Sequence, residues 1–114
     1  MRDHQEDVTV TARRTGPGEL LVRVVGELDI RTAAPTLRQL AGLLDDGAKL
    51  IRLDLTGVGF CDHAGLRALQ ALGVAAGPER VQIVAAHPSF DMILGLCGLE
   101  TFLGYPAGAA TCTG

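Results

Sequence analysis

The chain opens with two segments in which apolar and polar residues alternate or apolar residues dominate. Residues 8–13 alternate valine or alanine with threonine or arginine, which is the pattern of a half-buried strand. Residues 20–25 form a second, more apolar segment, and the Gly-Pro-Gly run at 16–18 between them carries residue types that favour turns. The pattern therefore predicts an antiparallel hairpin.

The spacing of apolar residues then changes to three or four, which is typical of a helix. Leucine recurs at this spacing and forms one apolar face: Leu37, Leu40 and Leu44. Thr32 is placed to cap the first turn, where Pro35 is also tolerated. Gly47 is a suitable end for this helix.

A third strand is predicted over residues 49–55, where leucine and isoleucine dominate. This nearly continuous hydrophobicity indicates a central strand that is covered on both faces. Residues 56–61 are predicted to form a short loop. Asp62 then caps a second helix, whose end is marked by Gly77 and Pro78.

The last third of the chain predicts one more strand and one more helix. Residues 81–86 form the strand, and Pro88 opens a helix that Gly98 ends. The apolar side of this helix is predicted to carry Phe90, Ile93, Leu94 and Cys97. Residues 99–105 are a final short strand or a packing segment.

Strands that alternate with helices predict a sheet with parallel crossovers, and the opening hairpin makes that sheet mixed. We therefore expect a single α/β domain over residues 8–105, with a mixed sheet of four or five strands and helices packed against it. Residues 1–7 and 106–114 are predicted to be flexible ends.

The composition agrees with one globular domain and excludes several function classes. The chain has 114 residues, 47% of them hydrophobic and 20% charged. A net charge of −3 without a basic cluster argues against direct nucleic-acid binding. No apolar run approaches the roughly 18 residues that a membrane helix needs, and the polar, acidic start is unlike a signal peptide. We expect a cytoplasmic protein that does not insert into a membrane.

One glycine-containing turn invites comparison with a nucleotide-binding loop. Residues 57–62 follow a strand and open a helix, which is the context of a dinucleotide fingerprint. The third glycine is missing, and the carboxylate of Asp62 would repel a pyrophosphate. The favoured interpretation is an ordinary turn between a strand and a helix.

The candidate nucleophiles and metal ligands also have ordinary explanations. His87 and Ser89 lie at a predicted helix start, where serine is a common cap. Cys61 precedes a helix, a position that can lower the pKa of a thiol, but a free cysteine is more often a small buried hydrophobe. The three histidines and three cysteines show no metal-binding spacing. We expect no enzyme, no metal site and no cofactor.

Two carboxylates stand at more informative positions. Asp29 follows the second predicted strand and Asp62 follows the third. If these strands are neighbours, both residues lie at one edge of the sheet, where function gathers in open α/β folds. Each aspartate can also be a turn or cap residue, and the two interpretations are compatible.

Three segments around these residues resemble the STAS domain family, in particular bacterial anti-sigma factor antagonists. They are residues 26–29 with 32–33, residues 53–66, and residues 97–99 with Phe102. The first is similar to the Gly-Glu-Leu-Asp end of a family strand, and the second to the family signature, which usually ends Asp-Ser-Ser-Gly-Leu. The likeness covers roughly residues 8–105 in the right order and implies a small α/β domain without catalytic activity.

The resemblance also implies a partner and a switch. Antagonists of this family bind an anti-sigma factor of the GHKL serine-kinase type, which releases a sigma factor for transcription. The kinase can phosphorylate the serine after the signature aspartate, and the added charge, about −1.5 to −2, turns binding off. Here His63 occupies the phosphoacceptor position and Ala64 follows it, so neither position offers a hydroxyl.

The predicted partner surface runs from the loop at 27–32 to the start of the second helix. Its candidate residues are Asp29, Arg31, Asp62, His63 and Arg67. Arg67 shares a helix face with His63 because four residues separate them, although it is equally well explained as a solvated charge.

Three functions remain open from the sequence. The first is an anti-sigma factor antagonist, either a constitutive one or a drifted paralogue that still binds its partner. The second is a non-phosphorylated STAS subunit of a lipid-transport ABC complex, which would bind a membrane-associated ATPase. The third is a small-ligand sensor, for which the sequence shows no pocket signature. The resemblance leaves the partner's identity and the oligomeric state open.

Overall fold

The computed structural model describes residues 8–110. Four strands form one sheet in chain order: β1 (Val8–Gly16), β2 (Glu19–Leu28), β3 (Leu50–Cys61) and β4 (Val81–Ala86). Three helices alternate with them: α1 (Ala33–Asp45), α2 (His63–Ala76) and α3 (Pro88–Leu96). A separate two-stranded hairpin follows: β5 (Thr101–Phe102) and β6 (Tyr105–Pro106). The prediction of a mixed α/β sheet is confirmed.

The register of the strands shows how the sheet is built. β1 pairs antiparallel with β2, as the alternating pattern predicted, while β2, β3 and β4 run parallel to one another. Because parallel strands need a crossover, α1 connects β2 to β3 and α2 connects β3 to β4. The carboxyl ends of β2, β3 and β4 therefore point to one edge of the sheet.

Residues 56–61 are not the loop that the sequence predicted. They continue β3 and pair with the end of β2, where Val25 lies opposite Gly57 and Leu28 opposite Cys61. Gly57 fits because a side chain there would clash: its β-carbon would lie 2.8 Å from the Val25 side chain. Two glycines and a polar threonine made this segment look like a turn, although pairing with β2 keeps it extended.

The prediction that β3 is covered on both faces is also wrong. Ile51, Leu53 and Leu55 are fully buried, whereas Arg52 and Asp54 between them are only partly buried. This alternation places the core between one face of the sheet and the helices.

Aromatic side chains close the core beside α3. The Phe90 ring meets Phe102 and Tyr105 edge-on, with ring centroids 6.0 Å and 5.8 Å away. The Tyr105 hydroxyl donates to the buried carboxylate of Asp91 at 2.9 Å. Cys97, which was expected on the buried side of this helix, is instead exposed and is the C-cap residue that follows Leu96.

The chain after β6 is also bound to Asp91. The backbone N–H groups of Gly108 and Ala110 donate to its two carboxylate oxygens at 3.0 and 2.9 Å. Of the residues that the sequence placed in a flexible tail, Pro106 belongs to β6 and residues 107–110 form turns bonded to Asp91 of α3. The other predicted flexible residues, 1–7 and 111–114, lie outside the described part of the chain, and the boundary at 105 stays a prediction. Among residues 8–110, no helix is long and apolar enough to cross a membrane.

Candidate functional site

The carboxyl ends of β2 and β3 place Asp29 and Asp62 at the same edge of the sheet. Leu28 and Cys61 are paired in the parallel register, and the Asp62 backbone N–H donates to the Leu28 carbonyl at 3.0 Å. Asp29 and Asp62 each follow directly after these paired residues. The topology expected from the sequence therefore does bring the two candidate carboxylates to one edge.

The side chain of Asp29 organises the loop between β2 and α1. One carboxylate oxygen accepts hydrogen bonds from the Arg31 and Thr32 backbone N–H groups at 2.9 and 3.3 Å. The other accepts from the Arg31 guanidinium at 2.9 Å. These contacts, above all the bond from the Arg31 side chain, lower the pKa of Asp29. Asp29 is therefore an ionised residue that holds the loop together, and in this sense it braces the loop.

Thr32 also stabilises this loop. The prediction that its side chain caps α1 is wrong. Its hydroxyl donates to the Glu27 carbonyl at 2.7 Å and accepts from the Asp29 backbone N–H at 3.0 Å. The first turn of α1 therefore has no side-chain cap at Thr32. The hydroxyl is instead occupied by backbone groups of the preceding loop.

The start of α2 is built as the sequence predicted. The Asp62 carboxylate accepts a hydrogen bond from the Gly65 backbone N–H at 3.0 Å, so Asp62 is the N-cap of the helix. Gly65 allows close packing because a β-carbon there would lie 2.6 Å from the Leu28 carbonyl oxygen. The absence of a side chain at Gly65 thus seats the helix directly on the end of β2.

A surface depression lies between the loop after β2 and the start of α2, and several residues of the predicted site line it. It is lined by Ile30, Asp62, His63, Ala64 and Arg67. His63 and Arg67 are exposed on the first two turns of α2. Arg31 does not line the depression, because its guanidinium turns to Asp29 at 2.9 Å and to Glu27 at 3.8 Å.

Ile30 is the site residue that the sequence analysis missed. Its side chain is 79% exposed although it is large and aliphatic. The signal in the sequence is a lone isoleucine between two charged loop residues, a position where apolar periodicity predicts nothing. Its exposure follows from the way Asp29 and Thr32 fold the loop.

The other chemically interesting residues form no reactive centre in the part of the chain that is described. Burial, more than the nearby Asp62 charge, raises the pKa of the Cys61 thiol to about 12. His87 caps α3 by accepting from the Ser89 backbone N–H at 3.0 Å, so the cap is the histidine and not the serine. The Ser89 hydroxyl donates to the Val58 carbonyl at 3.2 Å. Across residues 8–110, histidine, cysteine and acidic side chains form no group suited to a metal ion.

Comparison with protein families identifies the domain that carries this edge. A family model described as Mlab, STAS domain matches residues 11–104. The chain belongs to the STAS domain family. In this STAS domain, the capped start of α2 and the loop after β2 coincide with two of the three segments whose motifs resembled the family.

Solved structures of STAS proteins share the fold. An anti-sigma factor antagonist from Mycobacterium paratuberculosis is 28% identical, with a TM-score of 0.69 over 82% of this chain and 80% of that one. The antagonist SpoIIAA in its unphosphorylated form is 19% identical, with a TM-score of 0.59 over 80% and 82%. An antagonist STAS domain from Rhodobacter sphaeroides is 15% identical, with a TM-score of 0.57 over 75% and 90%. A comparison with curated proteins found no match.

Proposed function

We propose that this STAS domain is an anti-sigma factor antagonist-like binding module without catalytic activity. In this role it binds an anti-sigma factor of the GHKL serine-kinase type and thereby regulates transcription. Asp29, Arg31, Asp62, His63 and Arg67 contribute to or support the binding edge. The domain works in the cytoplasm, needs no cofactor, and contacts neither nucleic acid nor the membrane interior.

One observation supports this proposal most directly. His63 is exposed at the start of a helix that Asp62 caps, and the braced loop after β2 borders it. The chain that carries this arrangement is 28% identical to an anti-sigma factor antagonist. An exposed helix start that is rigidly held beside a rigid loop suits recognition of a folded protein partner.

The proposed binding is not switched by phosphorylation at the signature position. A serine kinase transfers the γ-phosphoryl group to a hydroxyl that it aligns for in-line attack. His63 and Ala64 present no hydroxyl. The module therefore acts as an antagonist that its partner cannot inactivate at this site.

Direct binding to purified GHKL-type anti-sigma factors of the source organism tests the proposal. We expect one of them to bind the wild-type chain in isothermal titration calorimetry. His63→Glu should weaken that complex because it adds a negative charge beside Asp62. Val74→Glu is the matched control, since Val74 is exposed near the opposite end of α2. Failure of every such factor to bind the wild-type chain would reject the proposal.

A second function is favoured by the same missing hydroxyl. A non-phosphorylated STAS subunit of a lipid-transport ABC complex needs no phosphoacceptor, so His63 and Ala64 are compatible with that role. Its partner would be a membrane-associated ATPase. Selective binding to such an ATPase, with no binding to any GHKL-type factor, would favour this alternative.

A further inference from the structure

The loop after β2 holds an aliphatic side chain in solvent. Ile30 is 79% exposed, although burial of an aliphatic side chain is favourable. A single exposed aliphatic residue is common on protein surfaces and needs no explanation by itself. Ile30 differs because the backbone on both sides of it is fixed.

The hydrogen bonds around Ile30 fix the loop backbone in the conformation that exposes its side chain. Asp29 accepts bonds from Arg31 and Thr32, and the Thr32 hydroxyl links Glu27 to Asp29. The backbone N–H of Ala33 also donates to the Asp29 carbonyl at 2.8 Å. Such a loop loses little conformational entropy when a partner binds to it, which favours affinity.

The charge beside Ile30 indicates what the partner carries. Within residues 8–110, Arg67 forms no ion pair, whereas the Arg31 guanidinium is bonded to Asp29 and lies near Glu27. Arg67 and Ile30 line the same depression, together with the small side chain of Ala64. Asp62 also lines the depression but forms no ion pair with Arg67, so within residues 8–110 the surface joins an exposed aliphatic side chain to an unpaired guanidinium.

We propose that Ile30 is the apolar anchor of the partner interface and that Arg67 sets its charge preference. The partner is a protein that offers an aliphatic-lined pocket to Ile30 and a carboxylate at the rim of that pocket to Arg67. This inference rests on the proposed function and names the chemistry of the partner surface. Anchors of this kind dominate binding energy when they enter a fully desolvated pocket.

The test uses whichever purified GHKL-type anti-sigma factor binds the wild-type chain. Ile30→Ser should raise the dissociation constant at least about 30-fold, which corresponds to about 2 kcal/mol. Ile30→Val should stay within about threefold of wild type because it keeps an aliphatic side chain. Val74→Ser is the matched control: Val74 is 77% exposed, and its loss should leave affinity unchanged.

Arg67 is tested through ionic strength. Arg67→Ala should weaken the complex about fivefold at low salt, and the difference should vanish at high salt because exposed ion pairs are screened. Arg67→Lys should restore most of the affinity. A salt dependence unchanged by Arg67→Ala would overturn the charge assignment.

The outcomes separate this inference from the function on which it rests. If a factor binds the wild-type chain and the Ile30→Ser variant equally well, Ile30 is not the anchor and the proposed function stands. If no factor binds wild type, the proposed function fails and the inference fails with it. Thermal unfolding of Ile30→Ser should match wild type, and a lower midpoint with parallel loss of binding would assign Ile30 a structural role instead.

Discussion

Gly65 at the start of α2 lies so close to Leu28 at the end of β2 that no side chain fits between them. A β-carbon at Gly65 would lie 2.6 Å from the Leu28 carbonyl oxygen and 2.8 Å from its β-carbon. The same carbonyl accepts the hydrogen bond from Asp62. This contact sets the position of the helix start that carries His63.

Gly65→Ala should therefore destabilise the domain by about 1–3 kcal/mol, because the helix must shift away from the sheet. Chemical denaturation measures the change. Gly42→Ala in α1 is the control, since a β-carbon there meets nothing within 4 Å. It should stabilise by about 0.5–1 kcal/mol through helix propensity. Equal effects at the two glycines would contradict the close contact.

Tyr105 should titrate far above a free tyrosine. Burial, followed by its hydrogen bond to the Asp91 carboxylate, raises the pKa of Tyr105 to about 12. Because it is the chain's single tyrosine, tyrosinate absorbance reports it directly. Since the unfolded phenol loses its proton first, its contribution to stability is complete below about pH 10 and is lost as pH rises towards 12.

Tyr105→Phe isolates the hydroxyl of this pair. We expect a loss of about 1–3 kcal/mol, because the buried Asp91 carboxylate loses one donor. The variant should also lose the part of the alkaline destabilisation that Tyr105 causes. A tyrosinate transition near pH 10 in the folded wild-type protein would contradict the buried hydrogen bond.

Cys61 should resist thiol reagents in the folded protein. Its burial and a thiol pKa raised to about 12 leave almost no thiolate at neutral pH. A Cys97→Ser/Cys112→Ser variant should react with a disulfide reagent slowly until denaturant is added. The exposed Cys97, tested in a Cys61→Ser/Cys112→Ser variant, should react quickly without denaturant. Fast labelling of folded Cys61 would show that the end of β3 opens readily.

Asp29→Asn should reduce stability by about 1–2 kcal/mol at neutral pH, because ionised Asp29 accepts a charged and two backbone hydrogen bonds. The pKa of Asp29 is lowered in the folded state, so its contribution is present above the unfolded pKa. That contribution disappears as pH falls through the folded pKa. Unfolding curves from neutral to acid pH should show the two proteins converging, and a constant difference would contradict the assignment.

Phosphorylation tests the missing switch. Incubated with ATP and a GHKL-type factor that binds it, the wild-type chain should take up no phosphate. His63→Ser should gain a labelled residue if that kinase is active, because it supplies a hydroxyl at the helix start. Stoichiometric labelling of any serine or threonine in wild type would mean that the switch lies elsewhere in the chain.

Much of the architecture was predictable because it follows from local periodicity. The alternating residues of β1 and the helical spacing of Leu37, Leu40 and Leu44 each indicate an element without reference to the rest of the chain. Asp62 as the cap of α2 was equally local, since a cap bonds within its own first turn. The order of these elements then predicted that Asp29 and Asp62 share an edge.

Features that depend on contacts beyond the periodicity of one element were not predictable in this way. Residues 56–61 are extended because β2 pairs with them. Thr32 is the N-cap residue of α1, but its hydroxyl bonds to the Glu27 carbonyl instead of capping the helix. Cys97 is exposed although its spacing from Phe90 and Leu94 placed it on the buried face of α3. For residues 56–61 and Thr32, a hydrogen bond to another segment outweighed the local preference of the residue.

The sequence by itself determined the family, the element order and the missing hydroxyl at His63 and Ala64, because each is written in residue types and their spacing. Only the tertiary structure decided that Asp29 is a brace and that Ile30 projects beside Arg67. The physical reason is that each polar group has several possible hydrogen-bond partners, which compete for it. Which bonds form, and therefore which side chains remain for a partner, depends on atoms that folding brings together.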